Sequence, residues 1–205
     1  MSEQQGAVVY VVDDDTAILD SLRMLLKSDG LESSVFTSAS SFLQEFDAAR
    51  HACLLADIRM PEMSGLELQA ELNRRGIGIP TIFITGHGDV PMAVKAMKDG
   101  ALDFIQKPFR DDDLLKRIRD ALEIDLQRLA RRRAELEARR RLETLTPRET
   151  EVMRKVVAGC ANKVIALDLG VSQRTVELHR ARVMHKMGVR SLADLVRMAG
   201  ELDER

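Results

Sequence analysis

The sequence predicts an α/β domain with a five-stranded parallel sheet covered on both faces, then a long helix, then a small all-α domain. Three observations predict it. Short apolar runs alternate with amphipathic stretches up to about residue 110, the pattern of strands buried between helices. Leucines at 115, 122, 129 and 136 then recur every seven residues. From Thr144 onward the strand-like runs cease, and helical segments punctuated by glycine take over.

Taken in order, Val8–Val12 is β-branched and reads as the first strand, and Thr16–Asp29 carries Ile18, Leu22, Leu25 and Leu26 at helical spacing. Val35–Phe36 reads as a short strand, Ser38–Ala49 as a helix and Ala52–Ala56 as a buried strand. Gly65–Arg75 is predicted helical, Thr81–Ile84 a strand, Met92–Lys98 a helix stopped by Gly100, and Phe104–Gln106 the last strand. Pro108 follows, and Asp111, Asp112 and Asp113 place negative charge where a helix dipole favours it.

In the helix that follows, the companions of the leucine repeat, Ile118, Asp125, Arg132 and Arg139, turn polar after the first, a compromised coiled-coil seam. Leu114, Ile118, Ala121 and Leu122 are predicted to pack on the sheet, with Arg128 to Glu143 projecting as a connector. The arginine clusters at 131–133 and 139–141 stand four residues from Glu135 or Glu137. They read as pairs supporting a solvated helix rather than as a nucleic-acid surface.

Thr146 is a good N-cap, Pro147 suits the first helical position and Glu149 completes a capping box, so Pro147–Ala158 is predicted helical. Lys163–Leu169 is a short helix closed by Gly170; Ser172 caps a third running to Met187, and Ser191 starts a fourth through Ala199. Helix, short glycine turn and longer helix is the helix-turn-helix arrangement, whose second helix enters the major groove. Met184, Met187, Val189, Leu192 and Leu195 are predicted core.

The net charge of −2 conceals an asymmetry: residues 1–110 hold 10 basic and 16 acidic side chains, residues 144–205 hold 11 and 8. The basic end is the better suited to phosphates. No basic-then-apolar leader precedes Val8, and the longest apolar stretch, Gly76 to Thr85, is broken by two glycines and a proline. A cytoplasmic protein without a membrane span is expected. Cys53 and Cys160 lack metal-ligand spacing and are predicted core fillers.

The predicted strands end on polar residues: Asp13 and Asp14, Asp57, Thr85, and Lys107. In a parallel sheet these gather at the carboxyl edge, where ligands bind. Three carboxylates together repel one another unless a cation intervenes, and a hard divalent ion such as Mg²⁺ takes oxygen ligands plus phosphate oxygens. A lysine and a hydroxyl facing the same point suit a phosphoryl group. The constellation describes phosphoryl transfer to a carboxylate, with Asp57 the acceptor.

On these residues, Asp13/Asp14, Asp57 in a D-x-x-M-P context, Thr85, Phe104 and Lys107-Pro108, the first part of the chain resembles a two-component receiver domain. The resemblance implies the flavodoxin-like (βα)5 fold. It further implies that Asp14, Asp57 and the Arg59 carbonyl hold Mg²⁺ directly, with Asp13 acting through water. Thr85 and Lys107 would bind the phosphoryl group, Thr85 and Phe104 would form the switch, and the Lys107–Pro108 peptide would be cis. Arg59 and His87 are expected to shape access.

Residues 144–199 resemble the LuxR-type helix-turn-helix through Leu145-Thr146-Pro147-Arg148-Glu149, Asn162-Lys163, Val171-Ser172 and Thr175-Val176 with His179. Arg174, Thr175, His179, Arg180 and Arg182 are assigned to the DNA face and Lys163 to a backbone phosphate. Where the LuxR type is commonly basic, this chain has Glu177, so base readout is expected to differ. Both halves together are similar to the FixJ family of transcriptional response regulators, divided as receiver 1–122, helical linker 123–143 and DNA-binding domain 144–205. That similarity implies a FixL-like sensor histidine kinase, promoter DNA and RNA polymerase as partners, dimerisation on phosphorylation, and activation of nitrogen-fixation genes under low oxygen. It implies no enzyme beyond self-catalysed phosphorylation and slow autodephosphorylation. The competing readings are a haloacid-dehalogenase-type phosphatase using Asp13, and a receiver adaptor that binds no DNA.

Overall fold

The computed structural model describes residues 6–86 and 90–203 and divides into two compact units, one up to Leu129 and one from Ala130. In the first unit the elements run β1 (Val8–Val12), α1 (Thr16–Ser28), β2 (Glu32–Phe36), α2 (Ala39–Glu45), β3 (Ala52–Asp57) and α3 (Gly65–Arg74). They continue with β4 (Thr81–Thr85), α4 (Val90–Lys98), β5 (Asp103–Gln106) and α5 (Asp111–Glu143), whose end belongs to the second unit.

All strands are parallel, in the order β2-β1-β3-β4-β5. The strand order reverses between β1 and β3, which places a crevice at their carboxyl ends. Alternation along each strand feeds two cores. Val9, Val11, Leu55 and Ile82 pack with α1 and α5; Val8, Tyr10, Leu54 and Phe83 pack with α2, α3 and α4. Leu114, Ile118, Ala121 and Leu122 are buried on the sheet as predicted.

Two elements of the first unit depart from their predicted limits by more than two residues. Strand β2 begins at Glu32, because β1 pairs with it along its whole length, Val8 opposite Glu32 through Val12 opposite Phe36. Backbone bonding fixes an edge strand whatever its side chains are. Helix α2 stops at Glu45, where Phe46 turns to extended backbone and its ring packs 5.5 Å from Tyr10 and 5.2 Å from Phe42.

The second unit contains α6 (Pro147–Val157), α7 (Asn162–Leu169), α8 (Gln173–Met187) and α9 (Leu192–Asp203) around a core of Val152, Val156, Ile165, Val176, Val183, Met187 and Leu195. The Thr146/Glu149 capping box forms as predicted. Gly170 closes α7 in the left-handed region (φ 65°) and Ser172 caps α8 through Thr175 N–H at 3.1 Å. Leu192, predicted core, is instead 43% exposed, since it opens α9 ahead of the turn that Leu195 buries. Helix α9, predicted through Ala199, runs on to Asp203. No described helix is long and apolar enough to cross a membrane.

Candidate functional site

Asp13 directly follows β1, Asp57 ends β3, Thr85 ends β4 and Lys107 follows β5, so four strand ends deliver them to one edge. Lys107 Nζ donates to Asp13 Oδ2 at 2.9 Å and to Asp57 Oδ1 at 3.2 Å. A single ammonium thus bridges two buried carboxylates across the crevice. Asp13 is held further by Asp15 N–H at 2.9 Å, and Asp15 caps α1. Asp57 Oδ2 accepts from the Arg59 backbone N–H at 2.6 Å. Thr85 is buried one strand away, its carbonyl accepting from Lys107 N–H at 2.8 Å. Phe104 lies half-buried against the core under α4. The Lys107–Pro108 peptide is cis.

The electrostatics follow from this packing. Burial pushes the Asp57 carboxyl above its ordinary range, and the Arg59 N–H and Lys107 counter only part of that. For Lys107, burial opposes the charged form, but Asp13 and Asp57 together outweigh it and hold the ammonium protonated. Asp14 stands exposed at the rim. Among the described residues, no three metal-ligating side chains already surround one point. The available donors are nonetheless hard oxygens, two buried carboxylates with an exposed third beside them, a set that suits Mg²⁺ with waters completing its shell. His87 lies outside the described residues.

Gly65 opens α3 against the back of this site. Its N–H bonds the Ile58 carbonyl at 3.0 Å, and a Cβ there would collide with the Asp57 carbonyl oxygen and meet the Phe83 ring at 2.9 Å. The loop that carries the acid therefore closes only with glycine at this position.

The opposite end of β3 holds Asp125, which the heptad pattern alone presents as part of a polar seam. Asp125 on α5 is fully buried, accepting from Ala52 N–H at 2.9 Å and from Arg128 at 2.7 Å. His51 Nε2 donates to the Leu122 carbonyl at 2.7 Å. Arg128, predicted to begin a projecting connector, lies instead against Gly78 and Asp125. Cys53 is buried beside this acid, and burial with the Asp125 charge pushes its thiol up, leaving it un-ionised. Farther on, two of the predicted i,i+4 pairs close, Arg131–Glu135 at 3.5 Å and Arg141–Glu137 at 2.9 Å.

In the second unit the residues assigned to DNA separate into two sets. Lys163, Arg174 and Arg182 are exposed and have no side-chain partner among the described residues. Arg180 is half-buried and donates to Asn162 Oδ1 at 2.7 Å, tying α8 to the start of α7. Thr175 Oγ1 lies 2.8 Å from Ser172 Oγ inside the α8 cap. His179 is partly buried, and its Nδ1 has no hydrogen-bond partner among the described residues. The outward row of α8 is Arg174, Glu177, Leu178, Ala181, Arg182 and His185, all exposed. Their separations of three and four residues were the signal that could have found it.

Residues 9–119 match the family model of the response regulator receiver domain, and residues 143–199 that of the bacterial regulatory proteins of the luxR family. The chain is 46% identical over 200 residues to the response regulator protein TodT of Pseudomonas putida, covering 98% of this chain and 88% of that one. It is 48% identical over 195 residues to the transcriptional regulatory protein FixJ of Rhizobium meliloti, covering 93% and 94%. Among solved structures it is similar to the response regulator StyR, with a TM-score of 0.84 at 43% identity over 96% of this chain and 99% of that one.

Proposed function

Because the chain belongs to the response regulators that join a receiver domain to a LuxR-type helix-turn-helix, a family of transcription regulators, we propose that Asp57 is its phosphoryl acceptor and the input of a DNA-binding switch. The observation that carries this is the Lys107 bridge: one cation holds Asp57 and Asp13 at the switch point of the sheet. A carboxylate oxygen of Asp57 attacks the phosphorus of a phosphohistidine on a sensor kinase. The P–N bond breaks, the electron pair returns to the imidazole nitrogen, and an acyl phosphate forms on Asp57. Lys107 is placed to neutralise the arriving phosphoryl oxygens, and Thr85 to donate its hydroxyl to them. Asp14, Asp57 and the Arg59 carbonyl would hold Mg²⁺, with Asp13 acting through water. When bound, the ion supplies charge neutralisation at the phosphoryl oxygens.

Drawing Thr85 towards the phosphoryl group vacates space behind it, and Phe104, packed under α4, rotates into that space. This changes the face formed by α4 and β5, through which two receivers pair. Pairing brings two α8 helices to one promoter and multiplies affinity without new chemistry, and the bound dimer recruits RNA polymerase. Nitrogen-fixation promoters are the proposed targets, the kinase a FixL-like oxygen sensor, and the cytoplasm the site of action.

Full-length protein treated with acetyl phosphate and Mg²⁺ tests the proposal. Phosphate label should map to the Asp57 peptide, the protein should dimerise in light scattering, and footprints should strengthen. Asp57→Asn should lose all three. Label on the Asp13 peptide would favour the phosphatase reading, and wild-type protein that prefers no DNA sequence would favour the adaptor.

A further inference from the structure

Helix α8 carries a carboxylate in the middle of the face it turns outward. Glu177 is exposed and makes no hydrogen bond or ion pair with the described residues. Two arginines stand three residues away on either side, yet neither neutralises it: Arg174 points to solvent, and Arg180 donates to Asn162 at 2.7 Å. Beside Glu177, Leu178 is 51% exposed although the core of the unit is complete without it. Arg174 and Arg182, also exposed and unpaired, lie along the same outward row. A helix approaching a polyanion gains from such arginines and loses from a bare carboxylate, so Glu177 needs a compensating partner on the nucleic acid.

The base edges of the major groove narrow that partner to one. A carboxylate only accepts hydrogen bonds, and the donors there are the N4 amino group of cytosine and the N6 amino group of adenine. Adenine presents its N7 acceptor next to that amino group, where it faces the second carboxylate oxygen with like polarity. Cytosine presents no such acceptor. An exposed leucine offers no hydrogen bond, and the thymine methyl is the apolar group in that groove. Resting on the DNA-binding reading above, we propose that Glu177 is a specificity-determining residue that accepts a hydrogen bond from cytosine N4, with Leu178 against a neighbouring thymine methyl. Arg174 and Arg182 hold the flanking phosphates.

The test is selection from randomised duplexes using full-length protein with acetyl phosphate, for wild type, Glu177→Gln and Glu177→Ala. Wild type should fix cytosine at one position in each half-site, and replacing that cytosine should weaken binding about 5- to 150-fold. Glu177→Ala should lose the preference at that position and keep the rest of the site. Glu177→Gln should move the preference to adenine, whose N6 and N7 an amide pairs with both its groups. A switched base separates readout from a packing role, because a merely structural change does not exchange one base for another. If both variants keep the wild-type consensus, the proposal is overturned. If the wild type enriches no consensus at all, the DNA-binding reading fails and takes this assignment with it.

Discussion

The carboxylate of Asp125, buried on helix α5, accepts a hydrogen bond from the backbone N–H of Ala52 at 2.9 Å. Ala52 opens β3, the strand whose far end is Asp57. A side chain from the long helix therefore closes one end of the strand that carries the proposed phosphoryl acceptor at the other. Arg128 at 2.7 Å supplies the countercharge that makes a fully buried carboxylate tolerable.

Removing that carboxylate strips the partner from a buried N–H and from Arg128 together. Asp125→Ala is expected to destabilise the first unit by about 2–4 kcal/mol. Asp125→Asn retains an acceptor for Ala52 and should cost about 1 kcal/mol. The chain offers a local probe, having one tyrosine and no tryptophan. Tyr10 is buried on β1 with the Phe36, Phe42 and Phe46 rings within 6.1 Å. Urea titration of the intact protein followed by Tyr10 fluorescence reads this unit alone, and equal midpoints for Asp125→Ala and wild type would remove the role assigned to the carboxylate.

Gly65 yields a prediction at the other end of the strand. A methyl group there overlaps the Asp57 carbonyl oxygen, a backbone atom of β3, and presses on the ring of Phe83, which is fully buried in the core. Relief requires moving the start of α3 or the end of β3. Gly65→Ala should cost about 1–3 kcal/mol in the Tyr10 titration and slow phosphorylation by acetyl phosphate, since the same shift displaces Asp57 from Lys107. An unchanged phosphorylation rate would mean that the loop accommodates the methyl without moving the acid.

How far the sequence reveals all this depends on whether a residue's signal is local. The β-branched run at 8–12, the apolar run at 52–56 and the polar residues ending them are legible because strand, burial and strand end are written in neighbouring residues. The first three residues of β2 are polar or charged, and only their pairing with β1 makes them a strand. Asp125 reads as a polar interruption of the leucine seam; its acceptor role exists only once Ala52 lies opposite. Its one local trace is Arg128 three residues on, between Leu122 and Leu129, which the structure buries. Arg180, assigned to the DNA face as a basic residue of α8, also has a partner that no neighbouring residue announces: it is half-buried and donates to Asn162.

The second unit carries its own acid-sensitive contact. Glu149 is buried at the start of α6, where its carboxylate accepts from Lys186 Nζ at 2.6 Å and from the Thr146 N–H at 2.9 Å. Lys186 also reaches the Thr144 carbonyl at 2.9 Å, so one ion pair ties the end of α8 to the turn before α6. The bond from Lys186, followed by that from Thr146, holds the Glu149 carboxyl down at about 2, against 4.5 ordinarily. A group depressed in the folded state stabilises fully above its unfolded value and stops contributing as the pH falls through its folded value. Glu149→Gln is therefore expected to lower stability at pH 7 by about 1–2 kcal/mol. The gap from wild type should narrow as the pH drops from about 4.5 to about 2. Helical circular dichroism during thermal unfolding, compared at each pH, measures that gap; a difference that stays constant across the window would show that the ionised carboxylate is not what holds the two helices.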